Sequence, residues 1–159
     1  MVLYHGSLEV VKQPKILDSN RPLDFGKGFY TTTSLQQARR WVMLRMEQQN
    51  SSVGYINIFD YNPIKTLKIR RFRAANEPWV DFVHNNRTID NYDHSFDIVE
   101  GPVANDNVYL SFNLYESGII TKTELIRRLK TYKLVDQFLF HTEQSLETLT
   151  FKKSNEIRL

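Results

Sequence analysis

The chain has 159 residues, 41% of them hydrophobic and 25% charged, which suits one globular domain whose core needs neither disulfides nor metals. It contains no cysteine, which excludes disulfides, thiolate zinc sites and cysteine nucleophiles and fits a reducing, cytoplasmic setting. Lys and Arg exceed Asp and Glu by 21 to 18, a mildly basic balance that allows a nucleic-acid partner without indicating one.

No apolar run approaches a membrane span, and the opening MVLYHGSLEVVKQ lacks the features of a signal peptide. No repeat or linker interrupts the chain, so one domain over residues 1–159 is expected. Val2 to His5 reads as a short first strand. The segment to Asp24 holds Pro14, Asp18, Ser19, Asn20 and Pro22, turn formers that predict a loop. "GFYTTT", Gly28 to Thr33, has strand composition. A helix follows from Ser34 to Asn50, with a Ser34/Gln37 capping-box pattern and a buried face of Leu35, Ala38, Trp41, Val42 and Met46.

"VGYINIFDY" alternates as a buried strand and turns at Asn62-Pro63. "TLKIRRF" is expected as its partner, within the basic run Lys65 to Arg73 that suits an edge strand guarded by Lys and Arg. Asn76-Glu77-Pro78 opens a helix carrying Trp79, Phe82 and Val83, with Asn86 near its end. "NNRTIDNYDHS" reads as polar loop and "FDIVEGPV" as a strand closed by Gly101-Pro102.

Asp106 caps a helix through Val108, Phe112 and Tyr115 that Gly118 stops. Thr121 and Glu124 start another, with Leu125, Ile126 and Leu129. "LVDQFLFHT" is a strand, Thr142 to Thr148 a short helix and "LTFKK" a last strand. This irregular mixture predicts α+β architecture rather than a doubly wound sheet.

The chain holds no P-loop, dinucleotide-binding glycine fingerprint, HExxH or GxSxG. Of the four histidines, no two have the i, i+4 spacing of a helical metal box, and no metal site is expected. His84 and His94 fall at a helix end and in a loop, positions expected at the surface. His5 ends a strand, before a glycine that permits close backbone approach and a serine hydroxyl. Alone, "YHGS" fits a structural histidine as well as a ligand site. "DFGKGFYTT", Asp24 to Thr32, equally fits a plain turn into a core strand.

Taken together, "YHGS" and "DFGKGFYTT", joined to a helix holding Gln37, Ala38 and Trp41, resemble the ADP-ribosyltransferase superfamily. More narrowly, they resemble the small bacterial domains of the DUF3990 family. "FDIVEGPVANDNVY" and "DQFLFHTEQSLETLTF" are similar to that family's later blocks, so the likeness runs almost end to end. The resemblance implies an α+β ADP-ribosyltransferase-like split β-sandwich with peripheral helices, which uses NAD as substrate and no metal. His5 then matches a histidine that hydrogen-bonds a ribose hydroxyl, and the Gly6 backbone holds the nicotinamide carboxamide. Tyr30 stacks on the nicotinamide ring, with Ser7, Phe29, Thr31 and Thr32 beside it.

The third catalytic position is normally Glu on a late strand. Here that strand offers Asp136 and Gln137, and alternation lets only one face the cleft. Gln137 is the choice, because Phe138 and Phe140 then share the opposite face with Asp136. His5, Tyr30 and Gln137 are thus the expected catalytic residues.

Cleavage at the nicotinamide bond builds positive charge on the ribose. A neutral amide orients the ribose hydroxyl and stabilises that charge less than a carboxylate would. The start of the Ser34 helix, or Arg39 and Arg40, could serve the pyrophosphate, against a plain reading as surface arginines. "GPVAND", Gly101 to Asp106, is either a strand-to-helix turn with Asp106 as cap or a stretch whose Asn105 or Asp106 lines the acceptor side.

Three readings follow. The first is a mono-ADP-ribosyltransferase modifying a protein or nucleic acid, in family context a toxin paired with a small antitoxin protein. The second is an NAD glycohydrolase, and the third a degenerate module that binds nucleotide or partner without turnover.

Overall fold

A computed structural model describes residues 1–18, 23–103 and 106–159. Among them, seven strands and five helices are interspersed irregularly, and two sheets organise them. β1 (Val2–Ser7), β3 (Val53–Tyr61) and β7 (Leu149–Arg158) form an antiparallel sheet in the order β1-β3-β7. β2 (Phe29–Thr31), β6 (Asp136–Phe140), β5 (Ile98–Pro102) and β4 (Ile69–Arg71) form the second, in the order β2-β6-β5-β4.

Each strand read from the sequence is present, but one pairing differs. The TLKIRRF segment does not pair with β3, because β1 and β7 already fill both edges of that strand. Its Ile69 to Arg71 instead run parallel to Ile98–Glu100. The expected edge position holds, since β4 ends the second sheet. Arg71 bonds Glu100 at 3.0 Å, and the Arg70 guanidinium lies over the Phe72 ring. Gly101 and Pro102 do not close β5 from outside; they lie within it, opposite Gln137 and Asp136.

Alternation along the strands sorts the side chains into layers. Leu3, Phe59, Tyr61 and Leu149 from the first sheet pack with Phe29, Ile98, Phe138 and Phe140 from the second, so this cluster holds the sheets together. On the other face of the second sheet, Val99 and Leu139 meet Trp79, Val80 and Val83 of α2 (Glu77–Thr88). Val108 and Phe112 of α3 (Asp106–Glu116) and Leu125 and Leu129 of α4 (Lys122–Leu129) complete that cluster. α2 continues through Asn85–Thr88, so the polar loop begins later than the sequence suggests.

α1 (Leu35–Gln49) covers the outer face of the first sheet with Ala38, Val42 and Met46. Its buried face is narrower than expected, since Leu35 and Trp41 are 47% and 49% exposed. The helix lies close on the strand: a Cβ at Gly6 would stand 2.6 Å from the Ala38 carbonyl oxygen. A helix seated that closely buries a single i, i+4 stripe and turns its flanks to solvent.

Three N-caps hold, at Ser34 and Thr121 as single bonds rather than capping boxes, whereas Asp106 is the first residue of α3 and not its cap. Ser34 accepts from the Gln37 amide, Asn76 from Trp79 and Thr121 from Glu124. α5 (Glu143–Leu146) is a single turn whose Thr142 and Ser145 form a capping box. Among the described residues, no helix is long and apolar enough to cross a membrane.

Gly6→Ala is expected to destabilise the fold by ~1–3 kcal/mol, the usual cost of forcing atoms into a packed contact. Urea denaturation measures it, and an unchanged midpoint contradicts the close seating of α1.

Candidate active site at the seam between the sheets

The two sheets meet where β1 passes β2. The Tyr4 amide donates to the Thr32 carbonyl at 2.8 Å, and the Thr32 amide returns a bond to the Tyr4 carbonyl at 3.0 Å. Asp136 at the start of β6 reinforces this seam. Its carboxylate accepts from the Thr32 hydroxyl (3.1 Å), the Thr33 amide (2.9 Å) and the Thr33 hydroxyl (2.5 Å). Asp136, the neighbour passed over as a catalytic candidate, is therefore a structural tie, which β6 register and threonine chemistry set up and no local motif announces.

His5 lies one residue beyond the bridge. Its Nδ1 stands 2.7 Å from the Tyr30 carbonyl oxygen, so Nδ1 carries the proton and donates. Its ring rests on Phe29, centroids 4.2 Å apart. Burial disfavours a charged ring and lowers the His5 pKa, with the Tyr30 carbonyl pulling weakly upward. A neutral ring with Nδ1 protonated leaves Nε2 as a hydrogen-bond acceptor.

Tyr30 is half-buried, with its hydroxyl donating to the Gly26 carbonyl at 2.5 Å and accepting from the Phe25 amide at 3.2 Å. Burial, then the nearby Asp24 carboxylate, push its phenol well above the usual range, so the ring stays neutral. Tyr30 sits opposite Leu139. Alternation therefore puts Gln137 and Tyr30 on one face of the second sheet, with Phe138 and Phe140 on the other.

Gln137 is buried and its amide donates to the Pro102 carbonyl at 3.4 Å. The Trp79 indole donates to the same carbonyl. Thus the structure joins His5 to Tyr30 directly, through ring and backbone. Among the described residues no hydrogen bond joins Gln137 to either.

The remaining expected contacts are mostly occupied by the fold itself. Close approach at Gly6 is taken on its outer side by α1. The Ser7 hydroxyl accepts from the Glu9 amide. Phe29 is buried in the inter-sheet cluster. The Thr32 hydroxyl serves Asp136 and the Ser34 amide, whereas the Thr31 hydroxyl is buried without a hydrogen-bond partner among the described residues. Arg39 lies exposed on α1. Asn105 lies outside the described residues.

The expectation of a surface His94 does not hold. Half-buried, it packs on His141, ring centroids 4.2 Å apart, because its Nε2 is drawn to the Phe25 carbonyl at 2.7 Å. His84 is also partly buried, 3.6 Å from Glu116 on α3. Among the described residues no group of three His, Asp or Glu side chains is placed to hold a metal ion.

Two shallow grooves lie elsewhere. One of about 340 Å³ runs between Tyr4, Leu35, Ile58 and Lys153. The other, of about 260 Å³, is lined by Arg73, Glu100, Asp136 and Phe138. Neither includes His5, Tyr30 or Gln137.

Fold and site together define a mixed α/β domain whose first strand meets a Gly-Lys-Gly loop and its strand at an inter-sheet seam. The chain belongs to the family described as "Protein of unknown function (DUF3990)", which matches residues 1–151. No curated protein matches it.

Two outcomes follow from this geometry. Asp136→Ala removes three bonds from the seam and is expected to cost about 2 kcal/mol of unfolding free energy; a wild-type denaturation curve contradicts the tie. His5, with its folded pKa depressed, contributes stability in full above its ordinary value near 6.5 and loses it as pH falls through the lower folded value. An NMR titration of the His5 ring is expected to give a midpoint below that of a model imidazole; a midpoint at or above it contradicts the neutral-ring assignment.

Proposed function

We propose that this DUF3990 domain is an NAD-dependent mono-ADP-ribosyltransferase with an ADP-ribosyltransferase-like split β-sandwich, modifying a macromolecular acceptor. The observation that carries the reading is the His5 ring, fixed by Nδ1 on the Tyr30 carbonyl with Nε2 left to accept. A ribose hydroxyl is a donor that such a nitrogen suits.

In this reading His5 orients the ribose, the Gly6 backbone holds the carboxamide and the Tyr30 ring stacks on the nicotinamide. The bond from ribose C1′ to the pyridinium nitrogen breaks, and its electron pair leaves with neutral nicotinamide. The acceptor's nucleophile then bonds C1′ and loses its proton. Gln137 lies on the Tyr30 face of the sheet and orients the ribose hydroxyl as a neutral amide. It supplies less stabilisation of the ribosyl cation than a carboxylate in that place. Positioning therefore carries more of the rate than electrostatics does. The same reading makes the protein a toxin held in check by a small antitoxin protein.

Incubation of a cell lysate with labelled NAD and the protein tests this. Label is expected on a macromolecule, falling ~100-fold for His5→Ala, as when a positioning contact to the reacting group is lost. Nicotinamide release without labelled macromolecule identifies an NAD glycohydrolase instead. NAD binding by calorimetry with no release identifies a binding module, the outcome that Gln137 in place of Glu favours.

A further inference from the structure

The loop entering β2 is held in an unusual way. Three consecutive backbone carbonyls accept from side chains: Phe25 from His94 Nε2 (2.7 Å), Gly26 from the Tyr30 hydroxyl (2.5 Å) and Lys27 from His141 Nδ1 (2.5 Å). The Phe25 amide donates back to the Tyr30 oxygen. Gly26 has φ of 91°, a conformation favouring glycine. The loop's hold on Tyr30 thus runs through these carbonyls.

The two histidines reach the loop from distant segments, His94 from the turn before β5 and His141 from the end of β6, and their rings stack. Their partners differ in kind. His94 Nδ1 accepts from the Phe96 amide at 3.3 Å while Nε2 donates, so the ring must be neutral with one proton. His141 faces acceptors on both sides, the Lys27 carbonyl and, at 2.8 Å, an Asp93 carboxylate oxygen.

Asp93 also accepts from the His94 amide. A second proton on His94 would expel the Phe96 amide and set a cation against the stacked His141 ring. The titratable groups facing His94 are His141 on one side and Asp93 on the other; the Phe82 and Phe96 rings close the remainder. Lys27, the nearby loop cation, is engaged by Asp18.

We infer that His94 and His141 are positioning residues that form a proton-controlled latch on the loop Asp24–Gly28 and, through it, on the Tyr30 ring. With His94 neutral the Phe25 carbonyl is held; a second proton leaves the Nε2 donor in place but displaces the Phe96 amide from Nδ1, and the charged ring quits its packed seat and takes the Phe25 bond with it. Burial, reinforced by the neighbouring His141, depresses the His94 pKa against the pull of its backbone bond and Asp93. The latch is therefore closed above the ordinary histidine value and opens as pH falls through the lowered one. The role of Tyr30 toward nicotinamide rests on the reading proposed above; the latch does not.

Amide hydrogen exchange of the 24–28 loop, corrected for intrinsic rates, tests the latch at about pH 7.5 and about pH 5, on either side of histidine titration. In the wild-type protein, loop protection is expected to fall about tenfold at the lower pH, the scale of one lost hydrogen bond, with β3 amides unchanged. His94→Gln keeps a donor near the Nε2 position and cannot titrate, so its loop is expected to stay protected at both. His94→Phe keeps the stack without the donor, and its loop is expected to exchange fast at both. His141→Asn keeps a donor near Nδ1 and is expected to retain the wild-type response.

The proposal is overturned if His94→Gln shows the wild-type loss of protection, or if His94→Phe leaves the loop protected. Should His94→Phe fail to fold, the His94→Gln comparison decides alone. A protein that neither binds nor cleaves NAD, yet shows this exchange pattern, overturns the transferase reading and leaves the latch standing.

Discussion

The structure depends on a narrow seam. Two sheets share an apolar filling, but their backbones meet at the reciprocal Tyr4–Thr32 bridge. An apolar filling is non-directional and tolerates sliding. Two short hydrogen bonds and a carboxylate on Thr32 and Thr33 do not. That fixed register puts the His5 ring against the Tyr30 carbonyl. A slip of one residue would carry His5 to the opposite face of β1 and put Gly6 where the imidazole now stands.

Hydrogen bonding also sets charge at this site. The partners of His94 admit one proton, the His5 Nδ1 is fixed on the Tyr30 carbonyl, and burial makes a second proton costly for both rings. Tyr30 is kept neutral by the same means. His5, Tyr30 and His94 are thus neutral donors and acceptors, suited to orienting a polar ligand, beside the Asp136 carboxylate that ties the seam. The contacts of Glu124 with Arg127 and Arg128 lie on α4.

Much of this was legible in the sequence because it is local. Helix starts at Ser34, Asn76 and Thr121 follow from side chains that satisfy amides three residues on. The face separating Gln137 from Phe138 and Phe140 follows from alternation. What was not legible depends on segments brought together by the fold. The parallel pairing of β4 is decided by β1 and β7 occupying β3. The exposure of Trp41 is decided by how closely α1 sits on Gly6. The His94–His141 stack joins two loops with no pattern connecting them, so His94 looked like an ordinary surface histidine.

The topology also says when this site can exist. β1 pairs with β3 across only β2 and α1. β2 has its ladder partner in β6, with Phe29 opposite Phe140, and Thr32 waits for Asp136. Both contacts span most of the chain, and such distant closures are slow steps in folding. A ribosome making this protein must therefore release the chain through β6 before the Tyr30 strand meets its ladder partner. Shortened chains ending before β6 would carry every residue of the "YHGS" and "GKGFY" segments and still lack the surface those segments build.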